Sequence, residues 1–224
     1  MRHGKTLAPI WIIFLWFFGL SAALASVGEV AKLDGYAKAQ RGDEPARRLS
    51  EGDPVFEADT VSTGRKGKIE IRFRDDTVFN LGPDSSFEVE SYDYSAGEEE
   101  AGFTARVVKG AFRFVTGLVG KSKPEGFKVK TSVATIGIRG TQVVGEADAS
   151  SATVILLAEE DGSVGAINVS NEFGAVDIDQ AEYGTEVPDE FSPPSPPRRM
   201  QVNTLQNITR SLQSLQRMPR PQMR

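Results

Sequence analysis

Lys68-Ile69-Glu70-Ile71-Arg72-Phe73-Arg74 alternates polar and apolar residues without a fault. A strand turns successive side chains to opposite faces, so Ile69, Ile71 and Phe73 share one face and Glu70, Arg72 and Arg74 the other. A helix would bring Ile69 and Phe73 together and turn Ile71 to the far side. The run reads as a half-buried strand with its charged face toward water. Asp75-Asp76 makes the reversal, Thr77 to Leu81 forms the next strand, and Gly82-Pro83-Asp84 closes it. Ser86 to Ser91 alternates again, with Phe87 and Val89 inward.

The pattern continues in both directions. Phe112 and Phe114 repeat it, as do Phe127, Val129 and Thr131. Turn-formers punctuate the chain at Gly42-Asp43, Gly52-Asp53, Gly64, Gly97, Gly117, Gly120, Asp161-Gly162 and Asn171. Short strands spaced by roughly 8–12 residues predict an all-β fold over 28–185, a solenoid-like or roll/sandwich arrangement. No stretch of this body sustains helical periodicity. Gly97-Glu98-Glu99-Glu100 reads as a solvated hairpin loop between Tyr92-Asp93-Tyr94 and the run Phe103 to Val108. Lys121 to Gly126 reads as a second polar loop.

The ends differ from the body. Arg2, His3 and Lys5 precede an apolar run from Leu7 to Leu20, and Ala23-Leu24-Ala25 follows. That order predicts a secretory signal peptide over 1–25, with the uncleaved membrane anchor as the alternative. Export to the periplasm or outside the cell is the expected destination. The body then covers 26–187. Pro188, Pro193, Pro194, Pro196 and Pro197 predict an extended linker over 188–199. Leu205, Ile208, Leu212 and Leu215, extended by Met200, Val202 and Met218, predict an amphipathic helix over 200–218, with 219–224 as a tail. An isolated helix of this length is marginal in water. Its apolar stripe is expected to dock on the body, to self-associate as in a coiled coil, or to fill a partner's groove; disorder and a membrane surface are further alternatives.

Composition narrows the function. Of 26 Lys and Arg, two precede Ser26 and six follow Phe191, leaving the body 18 against all 31 acids. The body is therefore at −13 and the tail at +6. An acidic body repels nucleic acid, so no nucleic-acid partner is expected. The tail is expected to fold back on the body or reach an anionic partner. The chain has no Cys, and its one His is His3. That removes His-assisted nucleophiles and His- or Cys-based metal sites. Asp53, Asp59, Asp75, Asp76 and Glu98 to Glu100 are the remaining carboxylates of interest, and turn or solvated-face roles suit them better than catalysis. The expectation is no enzyme, no catalytic, cofactor-binding or metal residues, and no cofactor.

Lys130 to Thr141 is the most unusual segment. Gly137 and Gly140 predict bends or close backbone approach within a strand pair. Arg139 between them is expected to satisfy carbonyls or a carboxylate at the bend, with a ligand or partner contact as the alternative.

Gly52-Asp53, Asp59 to Gly64, Ile69 to Thr77, Leu81 to Phe87, Lys109 to Phe114 and Lys130 to Thr141, in this order, resemble the FecR domain family over about 50–145. The resemblance implies a β-rich extracytoplasmic domain without catalytic residues. Members that regulate ferric citrate transport span the inner membrane, carry a cytoplasmic anti-sigma segment and sense an outer-membrane transporter. Here the export signal comes first, so the expectation is a stand-alone exported module lacking that segment. A protein-interaction, regulatory or scaffolding role follows from the resemblance. A cell-wall or polysaccharide-binding module is the alternative, with Tyr36, Tyr92, Tyr94 and Tyr183 as exposed-type aromatics. Phe73 and Phe112 are expected in the core, and Glu70, on the opposite face, is expected to matter little to stability.

Overall fold

The computed structural model describes residues 25–94 and 101–212. The expected signal peptide, the Glu98 to Glu100 loop and the last part of the expected helix lie outside the described residues. Seventeen strands build the body, all joined in one hydrogen-bonded system, with no closed barrel. The first eight are β1 (Gly28–Asp34), β2 (Ala37–Arg41), β3 (Arg47–Arg48), β4 (Pro54–Val55), β5 (Asp59–Thr63), β6 (Lys68–Phe73), β7 (Val78–Leu81) and β8 (Ser86–Asp93). The long strand β9 (Gly102–Val115) follows. After it come β10 (Phe127–Lys130), β11 (Thr135–Arg139), β12 (Gln142–Ala147), β13 (Ala152–Leu157), β14 (Ala166–Asn171), β15 (Gly174–Ile178), β16 (Tyr183–Val187) and β17 (Arg198–Arg199).

The ladders sort these strands into two layers. One layer, A, runs β4-β1-β6-β7-β9-β12-β13-β16-β17. The other, B, runs β3-β2-β5-β8-β9-β10-β11-β14-β15. Every pairing is antiparallel except β9 with β10. The chain shuttles between layers in short strands, an all-β arrangement of the solenoid-like or roll/sandwich kind that the turn spacing predicted.

β9 belongs to both layers. Residues 102–109 pair with β8 in layer B, and residues 110–115 pair with β7 and β12 in layer A. The crossing falls at Gly110, whose φ is +101°. A Cβ there would sit 1.8 Å from Ser85 Oγ, so only glycine fits. The crossing also switches which alternate residues face inward. Phe103, Ala105 and Val107 point in before it, and Phe112 and Phe114 after it.

The core lies between the layers and is aromatic at its centre. Phe79 of β7 meets Phe87 of β8 at 4.3 Å between ring centroids, and Phe73 of β6 meets Phe103 of β9 at 4.7 Å. Phe127 packs against Phe103 and Phe114. Ile69, Ile71, Phe73, Phe87, Val89 and Phe112 are all buried, so the predicted strand facing holds. Burying a large side chain contributes about 1.5–3 kcal/mol each, which is how a fold without disulfides holds together.

Helical structure is sparse. The expected polar loop at 121–126 instead contains the end of a short helix, α1 (Leu118–Ser122), and a 3₁₀ turn (Pro124–Gly126). The helix α2 (Val202–Leu212) lies on the outer face of layer A. Its buried Ile208 and Leu212 pack with Met200 on Ala111, Val144 and Ile155 of β9, β12 and β13. Val202, expected in the apolar stripe, is exposed instead, because the stripe meets the sheet only from the second turn onward. The Pro-rich segment also lies along the body. Ser195 N donates to Glu186 O (2.9 Å), Thr185 Oγ1 donates to Ser195 O (2.7 Å), and Asn171 Nδ2 donates to Ser192 O (2.7 Å). Among the described residues no helix is long and apolar enough to cross a membrane.

Candidate functional site

Asp75 is the least expected of the carboxylates. A turn residue in sequence, it is fully buried. Its Oδ2 accepts from Thr77 Oγ1 at 2.7 Å and Val119 N at 3.3 Å; its Oδ1 accepts from Thr77 N and the Tyr92 hydroxyl, both at 3.2 Å. Its own N–H donates to the Tyr92 oxygen at 2.8 Å, and its carbonyl accepts from Leu118 N at 2.7 Å. Burial and the Asp75 charge push the Tyr92 phenol well above its ordinary value. Asp75 thus ties the β6–β7 turn to α1 and to β8, and its lone pairs are committed to the fold. Its neighbour Asp76 takes the left-handed φ of +65°. Asp53 Oδ2 accepts from Ser50 N at 2.7 Å, as a turn residue should. Asp59 is buried, accepts from Phe56 N and is paired with Arg47.

The segment from Lys130 to Thr141 divides. Gly140 is a bend, with φ +53°, and is held by Gly140 N donating to Gly120 O. Gly137 is not a tight spot: a Cβ there would meet only Asn168, at 4.0 Å. Arg139 is exposed at the end of β11, so the expected structural fork is not made. Strand alternation places it on the open outer face of layer B, with Asn168 and Asp177 around a shared hollow.

The two outer faces carry different polar arrays. On layer A a row crosses five neighbouring strands. Lys32 Nζ lies 3.5 Å from Glu70 Oε1, and Asn80 Nδ2 donates to Glu70 Oε2 at 3.0 Å. Arg113 Nη1 donates to Asn80 Oδ1 at 3.2 Å, and its Nη2 donates to Gln142 Oε1 at 2.9 Å. Glu70, expected in water, is only 8% exposed. Burial lowers the Arg113 pKa, and Glu70 and Glu160 oppose that shift. α2 borders one side of this row, through Thr209 and Leu212. On the other side Glu159 Oε2 accepts from Lys121 Nζ at 3.3 Å, while Glu159 Oε1 is buried without a hydrogen-bond partner.

Layer B has no such cover among the described residues. Register places Gln40, Thr60, Glu88, Arg106, Lys130, Thr135, Ser170 and Ala175 in one row across its strands. A second row holds Ser91, Thr104, Lys128, Gly137, Asn168 and Asp177. Glu90 stands at a bulge beside them and accepts from Arg106 Nε at 2.5 Å and Lys130 Nζ at 2.6 Å. Burial raises its pKa, but the two cationic donors outweigh that and hold it below the ordinary value. Where the first row ends, a cleft of about 450 Å³ opens, lined by Lys130, Ser132, Thr135, Asn171, Phe173 and Phe191 among others. Phe173 and Phe191 are 51% and 71% exposed and meet edge-to-face at 6.4 Å.

These are not the aromatics that the sequence pointed to. Tyr92 is in the core; Tyr36 is exposed but lies under the Arg48 guanidinium; Tyr94 and Tyr183 are partly buried against the core. Phe173 carried a signal that was available: it sits in the two-residue turn between β14 and β15, where a side chain has nothing to pack on.

Residues 59–164 match the family model described as FecR protein. The match starts and ends later than the stretch read from sequence. It covers β5 to β13, while β1 to β4 and β14 to β17 extend both layers beyond it. A Parabacteroides distasonis protein described as a candidate anti-sigma factor, solved twice, is similar at 13% identity and a TM-score of 0.48. The alignment covers 65% of this chain and 62% of that one, so the chain spans less than two thirds of that protein. A solved cell surface anchoring domain is 39% identical over 28% of this chain and 82% of its own length, with a TM-score of 0.27. No curated protein matches the chain.

Proposed function

We propose, from the FecR domain that the chain carries over residues 59–164, that it is an exported, non-catalytic interaction module with a regulatory or scaffolding role in the cell envelope. The observation that carries this reading is the contrast between the outer faces. α2 occupies one, and the other leaves two rows of hydroxyl, amide and charged side chains open across the strands. Open polar surface backed by a packed core suits docking better than turnover, which needs a water-excluding site. The buried Asp75 supports the non-catalytic part, since its oxygens are taken up by the fold.

Capture from envelope extract tests it. The full chain should retain a specific envelope protein, and Thr104→Arg with Asn168→Arg, which crowd the open rows of layer B, should lose it. Recovery of no specific protein by the unaltered chain sinks the reading. Point variants are preferable to removing the C-terminal segment, which would bare Ala111, Val144 and Ile155 and invite non-specific sticking.

A second reading, a cell-wall or polysaccharide binder, draws on the cleft, where exposed rings stand beside hydroxyl and amide groups. Co-sedimentation with peptidoglycan that Phe191→Ala weakens would favour it; no co-sedimentation would remove it.

A further inference from the structure

We infer that the free edge of β15 is a docking site for a basic, extended peptide segment of a partner protein, added as a further antiparallel strand; this rests on the interaction-module reading and names its surface.

The four lateral edges of the two layers are not alike. At the N-terminal side β4 and β3, two residues each, close layers A and B. Val30 there donates to Asp53 O and accepts from Gly52 N, and Leu33 N donates to Glu51 Oε1. On the C-terminal side β17 and Ser195 cover the edge of β16. Short, covered edges are how β proteins avoid unwanted pairing. β15 departs from that rule. It is five residues long, has no proline, and pairs only with β14 among the described residues. A two-residue hairpin makes Asn171 and Gly174 a hydrogen-bonded pair, so the backbone groups of Ala175 and Asp177 point away from β14. Among the described residues no backbone bond reaches them from another segment.

Charge selects the occupant. Residues 163–197 contain seven acids and no Lys or Arg. The molecule already shows how such an edge is filled. Arg198-Arg199 adds to β16 as a short strand, with Arg198 Nη2 2.7 Å from Glu186 and Arg199 Nη2 2.6 Å from Glu182. β15 offers the same chemistry in the other layer, with Glu172, Asp177 and Asp179 along it and at its turns, and among the described residues no basic strand is seated on it. Phe173 and Phe191 at one end give an apolar residue of the peptide a place to pack.

The test uses the full chain in mild detergent and two fluorescent heptapeptides, one alternating Lys with Val and one alternating Glu with Val. Anisotropy should show the Lys peptide binding at least about tenfold more tightly than the Glu peptide, with a preference that weakens in salt. Ala175→Pro removes an outward N–H and is tolerated on an edge, and it should cost about tenfold in affinity. Asp177→Lys should narrow or reverse the preference between the peptides. Hydrogen exchange should show new protection at the Ala175 and Asp177 amides. Binding indifferent to both variants, protection elsewhere, protection of β15 that rises with protein concentration alone (a second copy on the edge), or displacement of the peptide by a soluble polysaccharide would each overturn the inference. An envelope protein captured equally by the unaltered chain and by Ala175→Pro would leave the module reading standing and remove this edge from it.

Discussion

The outer faces of layers A and B are written in the same pattern and meet different fates. Both present every second residue of their strands, and in both those residues are mostly polar. On layer A, Glu70, Asn80, Arg113 and Gln142 are drawn into a bonded row, and α2 seals the apolar ground beside it. On layer B, Thr60, Glu88, Lys130 and Thr135 stand in water or half in it. Alternation assigns a side chain to a face; it does not assign the face to solvent. The groups that hold Glu70 out of water, Lys32, Asn80 and Arg113, come from β1, β7 and β9 on either side of it.

Four measurements would sharpen or break that contrast. Phe73→Ala, inside the layers, sets the upper end, with an expected loss of about 3–5 kcal/mol in denaturant titration. A loss below about 1 kcal/mol would mean that the inward face is misassigned. Ile208→Ala on α2 should cost about 2–3 kcal/mol, because it opens a gap over Val144 and Ile155. A negligible effect would show that layer A does not depend on its cover. Glu70→Ala should cost about 2 kcal/mol by leaving Asn80 Nδ2 without its acceptor and Lys32 and Arg113 without the nearby negative charge, while Glu88→Ala on layer B should stay within about 0.5 kcal/mol. Equal costs would erase the distinction between the faces.

A pH-dependent effect tests the junction at Asp75. The Tyr92 pKa is raised on folding, so the folded chain holds its phenolic proton after the unfolded chain has released it. This contribution is fully present below the ordinary value of 10.0 and falls as pH rises above it. The decline is at most about 1.4 kcal/mol per pH unit. Tyr92→Phe should lose the hydrogen bonds to Asp75 yet show a shallower decline above pH 10. Parallel pH profiles would argue against it.

Much of the β architecture was legible because alternation and turn residues are local signals. Ile69, Ile71, Phe73, Phe87 and Phe112 could be placed from their spacing alone. Tyr92 was missed for a physical reason. The bulge between Val89 and Ser91 inserts one residue, so the inward series passes from Phe87 and Val89 to Tyr92. Asp75 was missed because a turn predicts exposure, and the groups that bury it, Val119 and Leu118, come from a helix too short to leave a periodic trace. Arg139, expected to bond carbonyls or a carboxylate at a bend, stands exposed because its apolar neighbours in sequence occupy the opposite face of a strand. The free edge at β15 left no local mark, since an edge is defined by the absence of a neighbour.

The single strand shared by the layers sets an order of events. β1 to β8 form one block and β10 to β17 another, and β9 lies between them in both layers. As the polypeptide emerges from its N-terminus, β7 and β8 present open flanks until residues 102–115 arrive. β9 in turn keeps its far side unpaired until residues 127–147 follow. Each such interval is a window for mispairing. The handover of the chain from one layer to the other turns on Gly110, because a side chain there would collide with Ser85 at the φ that the passage requires.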